Sequence, residues 1–495
     1  MEITSIALLG PVVAPMVGAA LALVAPRRVA AWLSVLAAAA LLAAGIALAG
    51  RTVQGTVIAA GLLRADALTA WLVIAIGAVA TIACWAGVHH LGDQARAGAL
   101  TGSSARRYLV LVQIFLACMS VAVLAANMGL LWVAVEATTV VTAFLVGHQR
   151  TRASIEAAWK YVVLCSVGVG IAFLGTICVY AAAIGAGSPG GLAALDWTEL
   201  TTNAAALDPG LMRLAAGLVL LGFGTKAGLA PMHAWLPDAH SQAPAPVSAL
   251  MSGVLLSVAF YAIVRYKTIF DAVLGPGYVR TLLLIAGLAS LALAAALLIG
   301  QRDVKRLLAY SSIEHMGLIA LGTAIGGRLA LAAVLLHILG HGLVKAVAFC
   351  GAGHLVHQVG STLISAVRGA LASTPVTAAL FGLGVVALLG LPPFALFASE
   401  LALARAGFAA GLGWAVASAF ALVLVAFAAI VRHGGGMLLG SSTVDEQSAT
   451  GQGRVGLRWL PLALGLVAAA VLGIWLGPLR PLLDSAALVA AGEIP

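Results

Sequence analysis

The stretch GTKAGLAPMHAWLPDAHSQAPAPVSA, residues 224–249, interrupts a long apolar segment with four prolines. Proline removes a backbone donor and kinks or breaks a helix. Irregular backbone at membrane depth is tolerated only where protein or a water-filled cavity receives it. Lys226 lies just before the first of these prolines. The stretch therefore predicts a broken membrane helix with an ionisable residue beside its break.

A second stretch, VVALLGLPPFALFASELALA at residues 385–404, has the same character. Pro392 and Pro393 fall inside an apolar run, and Glu400 follows them. Paired interrupted segments indicate two structural repeats with a site near the middle of the membrane. We predict four regions: N-terminal helices 1–3 in 1–107, a first five-helix repeat in 108–264, a second in 279–433, and a loop with a C-terminal helix in 434–495.

The composition places the whole chain in a membrane. The 495 residues are 62% hydrophobic and only 9% charged, with a mean hydropathy of +1.11. Apolar runs of about 20 residues, the length that spans a bilayer as a helix, recur from end to end. The sequence predicts an all-α polytopic membrane protein with about fourteen transmembrane helices, the last at 459–479.

The positive charge reflects topology. The net charge is +9, but the lysines and arginines are scattered over short loops without interleaved aromatic residues, which excludes nucleic-acid binding. Basic residues favour the inside loops of membrane proteins. With the N-terminus outside, the inside loops hold the larger share of the 26 Lys and Arg residues. We expect both termini outside a bacterial-type inner membrane.

The chain offers no cofactor motif of its own. Its five cysteines fall within apolar spans and form no CxxC pair, which predicts buried packing residues without a disulfide, zinc or iron–sulfur site. Nothing resembles a catalytic triad or a quinone, flavin or haem site. The loops are too short to hold a soluble catalytic domain.

Ionisable residues deep in apolar spans are the candidate functional groups. Glu136, Lys226, Lys345 and Glu400 are such residues. Each costs about 2.5–3.5 kcal/mol at the membrane centre, on the order of 10 kcal/mol together. A structural Glu136–Lys226 ion pair is one interpretation, although such a pair is often no better than apolar isosteres. Proton handling, with Lys226 loading and releasing one proton per cycle, is the other.

The stretch LLHILGHGLVKAVAF, residues 335–349, repeats the pattern with His337, His341 and Lys345 on one helix face. Neutral imidazoles both accept and donate, so they can relay protons. The HxxxH spacing also suits a metal, but no Glu follows the first His as in HExxH, and Lys is no ligand at neutral pH. We favour a relay over a metal site, with core packing as the alternative.

Other histidines lie near these groups. Glu314 and His315 sit in AYSSIEHMGLIALG, residues 309–322, and His233 follows Lys226 by seven residues. Asp238 and His240 come at the predicted membrane edge. We interpret His233 and His240 as relay groups or, equally, as hydrogen-bonded anchors of the loop.

Four stretches together resemble the antiporter-like membrane subunits of respiratory complex I, multisubunit Na⁺/H⁺ antiporters and energy-converting hydrogenases. They are GTKAGLAPMHAWLPDAHSQAPAPVSALMSGVLL, DVKRLLAYSSIEHMGLIALG, LHILGHGLVKAVAF and LLGLPPFALFASE. SSIEHMG and GLPPFALFASE look most like the component F branch of hydrogenase-4 and formate hydrogenlyase. The resemblance covers about residues 108–433. It implies fourteen helices, two inverted five-helix repeats with broken helices 7 and 12, and proton translocation along a hydrated axis.

The resemblance also implies residue roles. Glu136 looks like the helix-5 glutamate and Lys226 like its helix-7 partner. His337, His341 and Lys345 look like the helix-11 relay and central lysine, and Glu400 like the terminal group of helix 12. Ser257 stands where many members have a bridging lysine in helix 8. The connection between the two lysines must then use water, His315 or another group.

The sequence supports several functions of different kinds. The favoured one is a proton-translocating subunit of a multisubunit redox complex of the hydrogenase-4 or formate hydrogenlyase type. Its partners would be other membrane subunits and a peripheral redox arm, which would hold Fe–S centres with NiFe or flavin. Alternatives are a complex I subunit, an Mrp Na⁺/H⁺ antiporter subunit, a structural membrane anchor and a standalone solute transporter.

Overall fold

The computed structural model describes residues 2–98, 101–440 and 457–493, of which the great majority are helical. The predicted all-α class is confirmed. The N-terminal region holds α1 Glu2–Val24, α2 Arg27–Thr52, the strands β1 Ile58–Ala60 and β2 Leu63–Ala65, and α3 Ala67–Arg96. The two strands form an antiparallel hairpin that the sequence did not predict, because six residues carry too little periodicity.

The region predicted as the first repeat contains eight α-helices and a π-helical turn, Met251–Leu255. The α-helices are α4 Gly102–Leu124, α5 Met128–Val146, α6 Arg152–Gly185, α7 Trp197–Thr202, α8 Pro209–Ala227, α9 Trp235–Gln242, α10 Ala245–Leu250 and α11 Leu256–Leu274. The proline-rich stretch at residues 224–249 contains the break between α8 and α9, and α10, the π turn and α11 form one continuous apolar segment, Ala245–Leu274.

The rest of the chain follows the same plan. The helices are α12 Pro276–Ile299, α13 Val304–Ile325, α14 Gly327–Val359, α15 Ala370–Ser373, α16 Pro375–Leu388, α17 Ala395–Ala409, α18 Gly413–Leu439, α19 Leu460–Ile474 and α20 Arg480–Ala491. Short 3₁₀ turns lie at Gly147–Gln149, Gly191–Leu195, Ala204–Ala206 and Gly477–Leu479. Each half therefore contains one broken helix, although the residue bounds assigned to the repeats stay a prediction.

Both predicted breaks are present. At the first break, α8 ends at Ala227 and is capped by Gly228, which has a left-handed backbone (φ +79°). The Gly228 N–H donates to the Thr225 carbonyl. The second break separates α16 from α17 and contains Gly390 at φ +63°. A Cβ on Gly390 would collide with the Glu400 carboxylate, so glycine is needed there for space as well as for backbone conformation.

The count of fourteen spans stays a prediction. Within the described residues, eleven helices are long and apolar enough to cross a membrane, or twelve if α19 and α20 count as one span. Two predicted spans fall outside that set. α13 carries several charged residues, and α16 and α17 are each too short alone because the break divides their span.

The C-terminal region differs from a single straight helix at 459–479. α19 ends at Ile474, and the chain bends by 66° before α20. Gly477, Pro478 and Pro481 explain the bend, because this glycine has a positive φ and prolines cannot continue a helix. The Gly/Ser-rich loop predicted before α19, with Asp445 and Glu446, lies outside the described residues.

The centre of the bundle is formed by α3, the α10–α11 segment and α14. These spans are almost completely buried, whereas α1 and α18 expose most of their surface. Exposed apolar side chains on the outer helices suit contact with lipid. The central position of α14 places His337, His341 and Lys345 inside protein rather than against hydrocarbon.

Candidate functional site

Lys226 is completely buried in the last turn of α8, beside the first break. Its Nζ donates to Thr139 Oγ1 at 2.9 Å and to the Tyr161 hydroxyl at 2.6 Å. The ammonium also lies 4.7 Å from the centre of the Tyr161 ring. This lysine therefore contacts neutral oxygen atoms and an aromatic face.

Glu136 does not contact Lys226 directly, contrary to the simple ion pair considered from the sequence. Its carboxylate accepts from Ser166 Oγ at 2.7 Å and from Thr139 Oγ1 at 3.2 Å. Thr139 lies one turn after Glu136 on α5, so its hydroxyl reaches both groups. The threonine accepts from the lysine and donates to the glutamate, which makes a connected chain of acid, hydroxyl and amine.

Lys345, the second buried lysine, is on α14 and is also completely buried. Its Nζ donates to the Leu308 carbonyl at 2.7 Å and to Ser311 Oγ at 2.5 Å, both on α13. Glu314 lies one turn beyond Ser311 on the same helix and is 5% exposed, and its Oε2 has no hydrogen-bond partner among the described residues. Like Lys226, Lys345 has no carboxylate within ion-pair distance in the described part of the chain.

Three histidines meet beyond Lys345. His315 on α13 and His337 on α14 share a hydrogen bond of 3.0 Å, and His337 Nδ1 lies 3.0 Å from Ser399 Oγ on α17. The His341 ring lies 5.0 Å from that of His315. All three rings are buried, so the α14 histidines His337 and His341 face the interior of the protein together with His315 of α13. Neutral imidazoles in contact can pass protons through their two nitrogens.

Glu400 on α17 is 8% exposed and lies against the second break. His315, His337 and Glu400 each place a ligand atom within 4.8 Å of the others, which is close enough to hold a metal ion. A nitrogen of each ring is already used in the mutual hydrogen bond. The same geometry therefore also suits a hydrogen-bonded relay that ends at a carboxylate.

His240 lies between the two lysines. It is completely buried on α9, and neither ring nitrogen has a hydrogen-bond partner among the described residues. Its ring stacks between Trp235, with centroids 6.4 Å apart, and Phe349, at 5.3 Å. The Trp235 ring contacts Tyr161, which bonds Lys226, while the Phe349 ring lies 6.0 Å from Lys345 Nζ.

Three other residues considered from the sequence do not join these contacts. His233 is only partly buried, and its Nδ1 lies 3.1 Å from the Pro231 carbonyl, as expected for a loop anchor. Ser257 is buried, but its hydroxyl has no partner in the described part of the chain. Asp238 lies at the edge, where it pairs with Lys160 and Arg306.

The hydroxyl groups that hydrogen-bond to Glu136, to the two buried lysines and to His337 were not predicted from the sequence. Thr139 and Ser311 each lie three residues from a carboxylate of an apolar helix, Glu136 and Glu314, a spacing that could have indicated them. Tyr161, Ser166 and Ser399 come from other helices, and only the tertiary structure brings them to the site.

The fold is therefore that of a polytopic helical membrane protein with two broken helices, in which two buried lysines lie beside hydroxyl and imidazole groups. The family model described as NADH:quinone oxidoreductase/Mrp antiporter, transmembrane, matches residues 125–426. The chain belongs to this family and is an antiporter-like membrane subunit.

Individual relatives agree with this assignment. The chain is 42% identical over 323 residues to the Hydrogenase-4 component F homolog of Methylacidiphilum infernorum (isolate V4), covering 65% of this chain and 67% of the relative. It is 35% identical over 245 residues to NADH-quinone oxidoreductase subunit N of Desulforudis audaxviator (strain MP104C), covering 49% of this chain and 47% of that protein. The predicted family and the likeness to hydrogenase-4 component F are confirmed.

The fold matches a chain in the structure of the Mrp complex from Dietzia sp. DQ12-45-1b. The TM-score is 0.87 at 22% identity, and the match covers 99% of this chain and 98% of that chain. This likeness extends the family fold over the whole chain. It confirms the fold of a multi-pass membrane protein.

Proposed function

We propose that this chain translocates protons through a row of polar groups that begins at the half-buried Glu136 and continues through buried side chains, which are Lys226, His240, Lys345, His341, His315, His337 and Glu400. The observation that carries the proposal is that Lys226 and Lys345 are completely buried yet hydrogen-bond only to neutral oxygens. An ammonium without a contacting carboxylate is costly to bury. Lysine in such a site readily exchanges its proton, so each lysine can be loaded and unloaded in turn.

The first transfer would take place around Thr139. Its hydroxyl contacts both Glu136 and Lys226, so a small approach or separation of the acid and the base changes how firmly Lys226 holds its proton. A carboxylate that moves closer favours the ammonium, and one that moves away favours the neutral amine. A partner subunit that shifts α5 against α8 could therefore drive the cycle.

The middle of the row would depend on His240. The His240 ring lies between Trp235, on the Lys226 side, and Phe349, on the Lys345 side. Ser257 cannot do the work of a bridging lysine, because a serine side chain is short and uncharged. Neither ring nitrogen of His240 is occupied by a hydrogen bond among the described residues, so both are available to exchange a proton. Protons would then pass from Lys226 through His240 to Lys345.

The last part of the row would pass from Lys345 to His341, His315 and His337, and then to Glu400. Ser311 and Ser399 fix the lysine and His337 in place through hydrogen bonds. His233, predicted as a further relay group, would serve at most at the edge of the row, because it is partly exposed.

The complex would be a redox complex of the hydrogenase-4 or formate hydrogenlyase type in a bacterial-type inner membrane, with both termini outside. Fe–S centres with NiFe or flavin would sit in partner subunits, including a peripheral arm. The 42% identity to a hydrogenase-4 component F homolog supports this branch. Identification of the subunits that copurify with the tagged chain in mild detergent tests it: hydrogenase or formate-oxidising subunits support it, and NADH-dehydrogenase or small antiporter subunits contradict it.

Lys226→Ala tests the transport role. In vesicles holding the assembled complex, this variant should lose proton translocation while assembly is retained. Lys267→Ala is the matched control, because Lys267 is a buried lysine that pairs with Asp271 on its own helix, away from the row. Full proton translocation by assembled Lys226→Ala would refute the role and favour a structural anchor.

A rescue experiment tests the middle of the row. His240→Phe keeps a ring between Trp235 and Phe349 but removes both nitrogens, so translocation should fall sharply. Adding Ser257→Lys supplies a replacement ionisable group at the position where many family members have a bridging lysine, and it should restore part of the activity. Unchanged translocation by His240→Phe alone would remove His240 from the route.

A further inference from the structure

A basic cavity lies at one edge of the bundle, far along the chain from the buried row. The first turn of α2 and the last turns of α3 enclose a cavity of 370 Å³. Arg27, Arg28 and Arg96 line it together with His89, and no acidic residue is among its lining residues. This excess of positive charge calls for an anionic occupant.

The arginines at the start of α2 are available to such an occupant. Arg27 and Arg28 form no ion pair or side-chain hydrogen bond among the described residues, whereas Arg96 pairs with Asp93. No side chain caps the first turn of α2, so its backbone N–H groups add further unsatisfied donors. The buried Nε2 of His89 also has no partner in the described part of the chain.

The other walls of the cavity are apolar. Ala31, Trp32 and Val88 line it beside the arginines. Directly beyond, α2 exposes Val29, Trp32 and Leu36 at 50%, 40% and 63%, as a lipid-facing helix does. The arginine-lined cavity therefore continues into an exposed apolar face of α2. A phospholipid has the matching arrangement, because its charged headgroup is joined directly to apolar acyl chains. A free phosphate ion would need only the basic end.

We propose that this cavity binds the phosphodiester headgroup of an anionic phospholipid, with its acyl chains along the exposed face of α2. Basic pockets between transmembrane helices at the membrane edge bind such headgroups. Trp32, held edge-to-face against Trp85 at 6.0 Å, provides the aromatic contact that is common at the membrane interface. This site is independent of the proposed proton route.

Native mass spectrometry of the full chain tests the site. The protein is purified in mild detergent with equal amounts of phosphatidylglycerol and phosphatidylcholine. The wild-type chain should retain phosphatidylglycerol in preference to phosphatidylcholine. The double variant Arg27→Gln/Arg28→Gln should bind it roughly thirtyfold more weakly, since each arginine near a membrane surface contributes about 1 kcal/mol.

The matched control is Arg106→Gln/Arg107→Gln. These arginines are also adjacent and exposed at the start of a helix, α4, but they do not line the cavity. The control should bind phosphatidylglycerol as the wild type does. Equal retention by the two double variants would overturn the site. Displacement of the lipid by millimolar inorganic phosphate would also overturn it, in favour of a phosphate-ion site.

Discussion

The protein contains two pairs of an acidic and a basic side chain, Asp66 with Arg265 and Glu136 with Lys226, and their contacts differ. Asp66, at the start of α3, accepts from Arg265 at 2.7 Å and from the Thr69 N–H at 2.9 Å. Arg265 also donates to the Tyr261 hydroxyl at 2.9 Å. Glu136 and Lys226 have no direct contact, and a threonine hydroxyl separates them.

The difference separates a structural pair from one that can exchange protons. Contact with a carboxylate keeps the Arg265 guanidinium charged, and arginine does not release its proton in proteins. Lysine can release its proton, and a hydroxyl between it and the acid leaves the two groups coupled but free to change separation. The first arrangement stabilises the fold, and we expect the second to move protons.

The largest effect on stability should come from Arg265→Ala. Removing this guanidinium leaves the Asp66 carboxylate buried without its partner, which costs about 3–5 kcal/mol. The free energy of unfolding, measured by denaturant titration in detergent, should fall by that amount. Lys226→Met should change it much less, because Lys226 leaves only neutral oxygens behind. Equal losses in the two variants would contradict the distinction between the pairs.

Thr139→Val should have the next largest effect, this time on transport. Valine keeps the shape of threonine but removes the hydroxyl that joins Glu136 to Lys226. A hydrogen bond to a charged group contributes about 1.5–3 kcal/mol, so the initial rate of proton translocation should fall about tenfold to hundredfold.

Thr139→Ser provides the control for this change, because it keeps the hydroxyl and loses only a methyl group. Its translocation rate should stay near that of the wild type, and both variants should assemble normally. If Thr139→Val pumped as fast as Thr139→Ser, the hydroxyl would not be part of the route.

The sequence predicted the elements of the fold better than the contacts inside it. Prolines after Lys226 and before Glu400 mark the breaks, because proline acts on its own helix. His337, His341 and Lys345 share a face because helical periodicity is local. The contacts of Tyr161 with Lys226 and of Ser399 with His337 join different helices, and no spacing in one chain reports them.

His240 shows the same limit in one residue. The sequence left it equally a loop anchor and a relay group, because nothing in PDAHSQAP indicates where the ring points. The packing of α9 against α6 and α13 places it between Trp235, on α9 itself, and Phe349 of α14. Because Ser257 stands where many family members have a bridging lysine, the sequence leaves open what connects Lys226 to Lys345. The structure supplies His240 as a candidate.

Gly390→Ala should have a smaller effect on transport. A methyl group at Gly390 would collide with the Glu400 carboxylate, and φ +63° also disfavours alanine. A displaced carboxylate at the end of the row should slow translocation about threefold to tenfold. Gly435→Ala is the matched control, since a Cβ there meets no atom within 4 Å. Equal rates for the two variants would show that the position of Glu400 is not critical.

The smallest expected effect is on the pH dependence of stability, and it tests whether Arg265 keeps Asp66 ionised. Burial alone would raise the pKa of Asp66, but the neighbouring Arg265 charge and the Thr69 N–H hold it below the usual 3.8. A carboxyl with a lowered folded-state pKa contributes stability above its unfolded pKa and loses it as the pH falls through the folded value. Its contribution should therefore be constant from pH 5 to 7 and decline only below about pH 4. The free energy of unfolding of the wild type minus that of Asp66→Asn, measured by denaturant titration at each pH, should therefore stay constant from pH 5 to 7 and shrink in the acid range. A difference that already changed between pH 5 and 7 would mean that Asp66 titrates near neutrality and is not held as an ion by Arg265.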